Sequence, residues 1–276
     1  MLRTRVITAL VLLAVIGAAA AGGPSTLLEL LTLFVAVALY EWMRLAGCGQ
    51  TVSVLCAIGY GALLGGATVF AARVPQHAAA AASLAVCVMW CGLGAAVARA
   101  DRAQFKIPAG LSLLLGLVVL SVGWIALDSL LRQGVQWLVS VLAVVWIADI
   151  AAYFTGRAFG RHKLAPRVSP GKTWEGVYGA LAFAGVAAVA ARTQWPRADL
   201  WTNHLFSALA WPWALAAIWA VVALSIVGDL FESLLKRQAQ VKDSGRLLPG
   251  HGGVLDRIDA TLPALPAAVL IDWWTR

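Results

Sequence analysis

The stretch "SALAWPWALAAIWAVVALSIV", residues 207–227, contains no charged side chain. At a rise of about 1.5 Å per residue, a helix of about 20 such residues crosses the hydrocarbon core of a bilayer, which is about 30 Å thick. Similar stretches recur throughout the chain, in which 61% of the 276 residues are hydrophobic and 12% are charged. Because a soluble domain of this size could not bury so much apolar surface, the sequence predicts an integral membrane protein.

Apolar stretches of this length predict an all-α, polytopic fold with about nine transmembrane helices. They lie near residues 6–21, 27–46, 51–72, 78–98, 107–127, 134–155, 174–192, 207–227 and 258–274. Lysine and arginine set the orientation, because cytoplasmic flanks retain positive charge. With the N-terminus inside, most of the 21 lie on the inner side, and the exceptions are Arg73, Arg132, Arg192, Arg197 and Arg276. This asymmetry predicts a cytoplasmic N-terminus and accounts for the net charge of +8 without a nucleic-acid partner.

The first segment, "MLRTRVITALVLLAVIGAAAAGG", also resembles a secretory signal peptide, with a basic start, an apolar centre and small residues at its end. Its two arginines agree with the inside-positive pattern, so we expect it to be retained as the first span. Cleavage is the alternative, and it would leave the other helices oriented as before.

Polar residues are unevenly divided between the two halves of the chain. Residues 1–133 contain spans joined by short loops, which we interpret as a scaffold that could also carry dimer contacts. Residues 134–276 contain two charged segments, predicted as cytoplasmic loops 156–173 and 228–257. Ionisable side chains are costly at membrane depth and mark functional positions. The sequence therefore predicts a catalytic C-terminal half with its active site at the cytoplasmic helix ends.

The segment "WIADIAAYFTGRAFGRHKLAPRVSPGKTWEG", residues 146–176, holds the first candidates. Asp149 lies inside a predicted span, where a carboxylate needs water, a cation or a partner, and pairing with Arg157 is the structural alternative. Five cations follow with no acid between them: Arg157, Arg161, Lys163, Arg167 and Lys172. An inside-positive loop that touches anionic lipids would explain the charges. The surrounding glycines and prolines favour a loop shaped to hold polyphosphate.

"SPGKT", residues 169–173, resembles the end of a nucleotide-binding P-loop, G-x-x-x-x-G-K-[ST]. The chain has Pro166 where the first glycine should stand, and we expect no strand before it. We therefore reject a P-loop. Lys172 remains a candidate as a positive charge at the start of the seventh span, where free N–H groups also favour anions.

The segment "GDLFESLLKRQAQVKDSGRLLPGHGGVLDRID", residues 228–259, holds the second group of candidates. If the eighth span continues as a helix past the membrane, Asp229, Glu232 and Ser233 share one face. Asp256 and Asp259 are three positions apart at the start of the ninth span. Carboxylates beside a basic loop suit magnesium, which proteins hold with one or two carboxylates while phosphate oxygens and water complete its coordination.

The glycines of "PGHGG" allow the backbone to approach an anion closely, with successive N–H groups facing it. His251 could donate to a phosphate or protonate a leaving group, and bracing the loop is an equal alternative. For the whole segment, the structural alternative is a salt-bridged cytoplasmic loop.

Residues 233–259 resemble the signature of the phosphatidate cytidylyltransferase family (CDP-diacylglycerol synthases), in the form S-x-L-K-R-x4-K-D-x-G-x2-L-P-x-H-G-G-V-x-D-R-I-D. The upstream "GDLFES" and "HKLAPRVSPGKTWEG" resemble that family as well. Two positions depart from its pattern, since many relatives have glycine where this chain has Ala151 and Gln240.

The resemblance implies that phosphatidic acid and CTP give CDP-diacylglycerol and pyrophosphate, in a polytopic, homodimeric enzyme that uses magnesium. It implies Asp229 and Asp256 as metal ligands, with Asp149 and Asp259 as second ligands or orienting groups, and leaves a second cation open. The residues expected to act on or support the phosphates in catalysis are Lys172, Lys242, Asp243, His251 and Arg257. Those expected to bind substrate are Arg157, Lys163, Ser169, Ser233, Lys236, Arg237, Gly252 and Gly253.

The implied chemistry needs no protein nucleophile, because an oxygen of the lipid phosphate can attack the α-phosphorus of CTP in line. A CTP-dependent polyprenol or lipid kinase is an alternative enzyme, and the complete signature argues against it. An anion transporter is the non-enzyme alternative, but transporters place polar groups near the bilayer midplane. We expect a protein of the bacterial inner membrane that binds CTP, phosphatidic acid and membrane lipids, with its active site facing the cytoplasm.

Overall fold

The computed structural model describes residues 2–69, 74–102, 106–250 and 252–276, except the side chains of residues 2–6, 9, 69 and 102. The helices are α1 (Leu2–Ala21), α2 (Pro24–Leu45), α3 (Gln50–Val69), α4 (Gln76–Arg102), α5 (Ala109–Leu131), α6 (Val135–Phe159), α7 (Trp174–Gln194), α8 (Trp201–Ala208), α9 (Trp211–Gln238), α10 (Leu255–Ile258) and α11 (Thr261–Trp274). Two short strands, β1 (Lys163–Ala165) and β2 (Ser169–Thr173), lie between α6 and α7.

Within the described residues, seven helices are long and apolar enough to cross a membrane, namely α2 to α7 and α9. This confirms the prediction of a polytopic helical membrane protein. In α1 the described apolar stretch is the shorter Leu10–Ala21, and α11 has 14 residues. The count of nine spans and their orientation therefore stay predictions.

The bounds of α9 differ from those of the predicted span 207–227 at both ends. The predicted span 207–227 begins too early, because α8 ends at Ala208 and α9 begins at Trp211, with proline in its first turn. α9 then continues to Gln238, so much of the segment predicted as loop 228–257 is helical. Hydropathy reports which residues suit lipid, whereas backbone hydrogen bonding can continue a helix beyond them.

The first charged segment folds into a β-hairpin, which the all-α prediction missed. β1 and β2 pair antiparallel, with Lys163 opposite Thr173 and Ala165 opposite Ser169. The expectation that no strand precedes "SPGKT" was wrong, but "SPGKT" is itself β2 and not a loop. Thr173 then caps α7, because its hydroxyl accepts a hydrogen bond from the Gly176 amide at 3.2 Å.

The hairpin turn is fixed to the end of α4. Asp101 Oδ1 accepts hydrogen bonds from the amides of Arg167, at 2.7 Å, and Val168, at 3.3 Å. On the other side, Arg237 Nε on α9 donates to the Val168 carbonyl at 3.3 Å. These contacts hold the hairpin across the bundle ends of α4 and α9, and they place β2 beside the second charged segment.

Aromatic packing fixes the C-terminal part of α9 inside the bundle. Phe231 is buried against Trp90 of α4, edge-on with ring centroids 5.6 Å apart, and against Trp42 of α2, at 6.0 Å. Gly228 meets the start of α11 closely, because a Cβ there would overlap the Asp259 carbonyl and the Pro263 ring. The polar side chains that follow Gly228 are therefore carried by a helix that has little freedom to move.

Candidate active site

Both charged segments converge on one cavity of about 870 Å³. It lies among the C-terminal ends of α6 and α9, the N-terminal end of α7, the hairpin and the start of α11. Its charged lining residues are Asp149, Arg157, Lys163, Lys172, Asp229, Lys236, Asp243, Asp256, Arg257 and Asp259. The volume suits a small-molecule substrate. Acidic and basic residues are equal in number in the cavity lining, so the cavity is not a purely positive anion-binding site.

The hairpin and α9 are joined by an ion pair at the cavity. Lys172 Nζ, on β2, lies 2.6 Å from Asp229 Oδ2 on α9. The Ser233 hydroxyl, one turn further along α9, lies 3.5 Å from Asp229 Oδ1. Asp149 of α6 interacts electrostatically with both Asp229 and Lys172. Three elements that are distant in the sequence thus contribute to one charged cluster.

A second ion pair cluster lies deeper, between α9 and α10. Lys236 Nζ lies 2.5 Å from Glu232 Oε2 and 2.6 Å from Asp256 Oδ1. The three side chains are 15%, 3% and 7% exposed for Lys236, Glu232 and Asp256, respectively. Because a buried carboxylate without a cation would be strongly destabilising, Lys236 serves as the shared counter-ion of these two acids in this structure. Lys236 also lines the cavity, and its predicted role in binding substrate stays a prediction.

Asp256 connects two parts of the loop between α9 and α10. Its Oδ2 accepts hydrogen bonds from the Ser244 amide at 2.9 Å, the Gly253 amide at 2.8 Å and the Ser244 hydroxyl at 2.9 Å. Burial alone would raise the pKa of the Asp256 carboxyl, but Lys236 and these donors outweigh it and lower the pKa. Asp256 is therefore an ionised anchor at neutral pH.

Only some of the remaining predicted site residues line the cavity. Ser169 lines the cavity, and Arg157 Nη1 donates to the Tyr153 hydroxyl at 3.2 Å beside it. Among the described residues, Ser233, Arg237, Lys242, Gly252 and Gly253 do not line the cavity. His251 lies outside the described residues.

Gly252 and Gly253 shape the loop through their backbone. Gly252 has a φ of 82°, a conformation that favours glycine, and its carbonyl accepts from the Leu248 amide at 3.0 Å. Gly253 donates to Asp256. In this structure both glycines close the loop on itself, while Lys242 is exposed.

Two buried acids at the site were missing from the predicted set. Glu232 was noted for its spacing alone, and Glu41 of α2 was not considered. Glu41 accepts hydrogen bonds from the amides of Val254, at 3.1 Å, and Leu255, at 2.7 Å. The signal was available, because Glu41 lies inside the predicted span 27–46, where a carboxylate is as costly as Asp149 in its span.

The acids of the cavity fit a cation shared with substrate. Within the residues that the structure describes, no group of three or more His, Cys, Asp or Glu side chains converges to hold a metal by itself. Asp149, Asp229 and Asp259 nevertheless line the same cavity, and Asp229 interacts electrostatically with each of the other two. This set suits magnesium, which needs one or two carboxylates and takes its other ligands from phosphate and water.

The chain is similar to known proteins over nearly its whole length. The model of the cytidylyltransferase family matches residues 3–273. The chain is 41% identical over 285 aligned residues to a phosphatidate cytidylyltransferase of Pseudomonas aeruginosa, covering 99% of this chain and 97% of that protein. It is 48% identical over 134 residues to one of Haemophilus influenzae and 47% identical over 134 residues to one of Brucella suis. These two matches cover 49% and 48% of this chain, respectively, and 44% of each relative.

Proposed function

The chain belongs to the cytidylyltransferase family, and we propose that it is a phosphatidate cytidylyltransferase of phospholipid biosynthesis. It transfers CMP from CTP to phosphatidic acid, and the products are CDP-diacylglycerol and pyrophosphate. The observation that carries this proposal is the convergence of both charged segments on one cavity at the ends of α6 and α9. A site at a helix end allows a lipid phosphate and a water-soluble nucleotide to meet.

The reaction is an in-line displacement at phosphorus. An oxygen of the lipid phosphate forms a bond to the α-phosphorus of CTP, while the bond from that phosphorus to the bridging oxygen breaks. The electron pair leaves with pyrophosphate, so no side chain has to act as a nucleophile. The protein contributes positioning and charge neutralisation.

The basic residues of the cavity divide into two groups. Arg157 and Lys163 are exposed at its edge and can meet incoming phosphates directly. Lys172 and Lys236 are held by Asp229 and Asp256, so a phosphate would compete with a carboxylate for each ammonium group. Binding of anionic substrates thus rearranges these pairs. Arg257 completes the basic lining, and His251 stays a proposed donor to phosphate.

Magnesium is the proposed cofactor, and a second cation stays a prediction. Asp149, Asp229 and Asp259 are the best placed ligands, because they line the same cavity and Asp229 interacts electrostatically with both of the others. Asp229 and Asp256 are both engaged by donors in this structure, Asp229 by Lys172 and Asp256 by Lys236 and two backbone amides, so each would exchange a donor for the cation. When bound, magnesium would neutralise charge on the phosphates and assist the departure of pyrophosphate.

Topology and assembly are also proposals. α1 and α11 complete a set of nine spans, with the N-terminus and the cavity on the cytoplasmic side of a bacterial inner membrane. The distribution of lysine and arginine supports this orientation. Arg3 and Arg5 lie on the inner side in this orientation and support retention of the first segment. We further propose that residues 1–133 form the scaffold of a homodimer and residues 134–276 the catalytic half.

The function is tested with CTP labelled at either the α- or the γ-phosphate. Purified protein in detergent with phosphatidic acid and Mg²⁺ should transfer the α label into lipid and release the γ label as pyrophosphate. Asp256→Asn should abolish both. Asp128→Asn is the matched control, because it removes an acid that is ion-paired to Arg132 on α5, away from the cavity.

Each labelling result has a distinct meaning. Entry of the γ label into lipid would make the protein a kinase. If neither label enters lipid, although the protein is folded and binds CTP, the enzyme proposal fails and an anion transporter is the remaining hypothesis. Equal activity in Asp256→Asn and Asp128→Asn would remove Asp256 from the site.

A further inference from the structure

Glu41 is the most deeply buried acid that the proposed reaction does not use. It lies near the C-terminal end of α2, in the half of the chain predicted as scaffold, and it is 1% exposed. A carboxylate in such a position is stable only if hydrogen bonds replace the water it has lost. The donors that do so identify what Glu41 holds.

Within the described residues, the donors to Glu41 come from the loop between α9 and α10 and from the first residue of α10. Val254 N donates to Oε1 at 3.1 Å, and Leu255 N donates to Oε2 at 2.7 Å. The Ser244 hydroxyl lies 3.2 Å from Oε2. The loop also encloses the carboxylate tightly, because a Cβ on Gly245 or on Gly253 would overlap its oxygens. The Glu41 carboxylate thus lies in a tightly packed pocket that two separate parts of the loop form.

The Ser244 hydroxyl links Glu41 to the cavity. It lies 2.9 Å from Asp256 Oδ2, so it stands between two carboxylates and can donate its hydrogen to one at a time. The other oxygen of Asp256 binds Lys236. A continuous series of contacts therefore runs from α2 through Ser244 and Asp256 to Lys236 on α9.

We propose that Glu41 is a positioning residue for cytidylyl transfer. It fixes the loop that presents Asp243, Asp256 and Arg257 to the cavity, and it sets the orientation of Asp256 through Ser244. This inference rests on the proposed function. Its physical basis is that a small displacement of groups around the reacting phosphates costs rate even when the fold is intact.

A second contact from the N-terminal helices reaches the same loop. The Thr8 hydroxyl of α1 donates to the Pro249 carbonyl at 2.9 Å. Thr8 and Glu41 therefore hold opposite parts of the loop, at its tip and at its base. The helices predicted as scaffold contribute in this way to the geometry of the catalytic half.

The test compares Glu41→Gln with Thr32→Val in purified protein. Thr32 is a matched control, because it is a buried polar residue of the same helix and accepts from Trp124 Nε1 at 2.8 Å, away from the loop. Glu41→Gln turns one acceptor into a donor facing backbone N–H groups. We expect kcat per folded molecule to fall about 10- to 100-fold, the scale of a misplaced catalytic group. Thr32→Val should keep the wild-type kcat even where its thermal midpoint falls.

Hydrogen exchange supplies a readout that does not depend on turnover. Glu41→Gln should speed exchange at the amides of residues 244 and 253–255, while α9 and α11 keep their protection. Glu41→Asp retains the charge and should recover part of kcat. If Glu41→Gln does not fold, Ser244→Ala carries the test, because it removes the link to Asp256 while both amide bonds to Glu41 remain.

An unchanged kcat in Glu41→Gln would overturn the inference. If Glu41→Gln does not fold, an unchanged kcat in both Glu41→Asp and Ser244→Ala would overturn it. It is also overturned if exchange in the loop stays as in the wild type, or if kcat falls only as far as in Thr32→Val at equal loss of thermal stability. Failure of the wild type to transfer CMP would instead refute the proposed function. Loop exchange measured on the same samples separates the two failures.

Discussion

Lys172 Nζ lies 2.6 Å from Asp229 Oδ2, and this contact joins the hairpin to α9 across the wall of the cavity. Both side chains are partly exposed, at 25% and 33%, so phosphate and solvent can reach the pair. A contact of this kind can be exchanged for a substrate contact without leaving a charge buried. It is therefore suited to change partner when the anionic substrates bind.

A double-mutant cycle should reveal coupling between Lys172 and Asp229. We expect Lys172→Met and Asp229→Asn each to lower kcat/KM by at least about 100-fold, because Lys172 offsets phosphate charge and Asp229 is a proposed ligand of the magnesium ion. The double variant should be no slower than the slower single variant, since the two residues act as one unit. Steady-state kinetics with CTP provides the measurement.

Lys106→Met is the control for this cycle, because Lys106 is exposed and does not line the cavity. It should leave kcat/KM unchanged. Strictly additive losses in the cycle would show that Lys172 and Asp229 act independently, contrary to the contact between them.

Lys236 should matter for stability as well as for activity. In Lys236→Met, Glu232 and Asp256 keep their burial but lose their shared cation, so we expect a loss of about 3–5 kcal/mol in the free energy of unfolding. Adding Glu232→Gln should restore part of that loss, because a neutral amide replaces a buried acid that has lost its cation. Reversible chemical unfolding in detergent measures both. A single variant as stable as the wild type would contradict the assignment of Lys236 as an internal counter-ion.

The stability contributed by Asp256 should depend on pH in a defined direction. Its carboxyl has a lowered pKa in the folded protein, so its contribution is fully present above the ordinary aspartate pKa of about 3.9 and is lost as pH falls through the lower folded value. The difference in unfolding free energy between wild type and Asp256→Asn should therefore be constant near neutrality and shrink in acid. A difference that grows on acidification would reverse the sign and refute this origin.

Gln240 should be replaceable by glycine with a gain in stability. Its φ of 56° is the only positive φ of a non-glycine residue in the described part of the chain. It follows the end of α9, where Gln240 N bonds the Arg237 carbonyl and Val241 N bonds the Lys236 carbonyl, the pattern of a glycine-favouring helix stop. Gln240→Gly should add about 1 kcal/mol by relieving the steric cost of this conformation.

The neighbouring residue supplies the control for Gln240→Gly. Ala239 has a φ of −75°, in the right-handed helical region, so Ala239→Gly should lower stability by about 0.5–1 kcal/mol. Thermal midpoints of the two variants should move in opposite directions. A fall in both would show that the side chain of Gln240, and not its backbone conformation, is what the loop needs.

Much of the architecture follows from local sequence. The apolar stretches in α2 to α7 and in α9 predict helices, because the cost of placing residues in lipid is set by composition over about 20 positions. The family resemblance at residues 233–259 could also be read directly. The hairpin was missed because its three- and five-residue strands lie in a charged segment without an alternating pattern.

The tertiary structure alone decided which charges are partners. The sequence determined that acids and bases collect in two segments, since that is a matter of composition and spacing. It could not determine that Lys172 meets Asp229, that Lys236 turns to Asp256, or that Glu41 binds an amide 213 positions away. Such pairings depend on how helices pack, and packing joins residues whose separation along the chain carries no local signal.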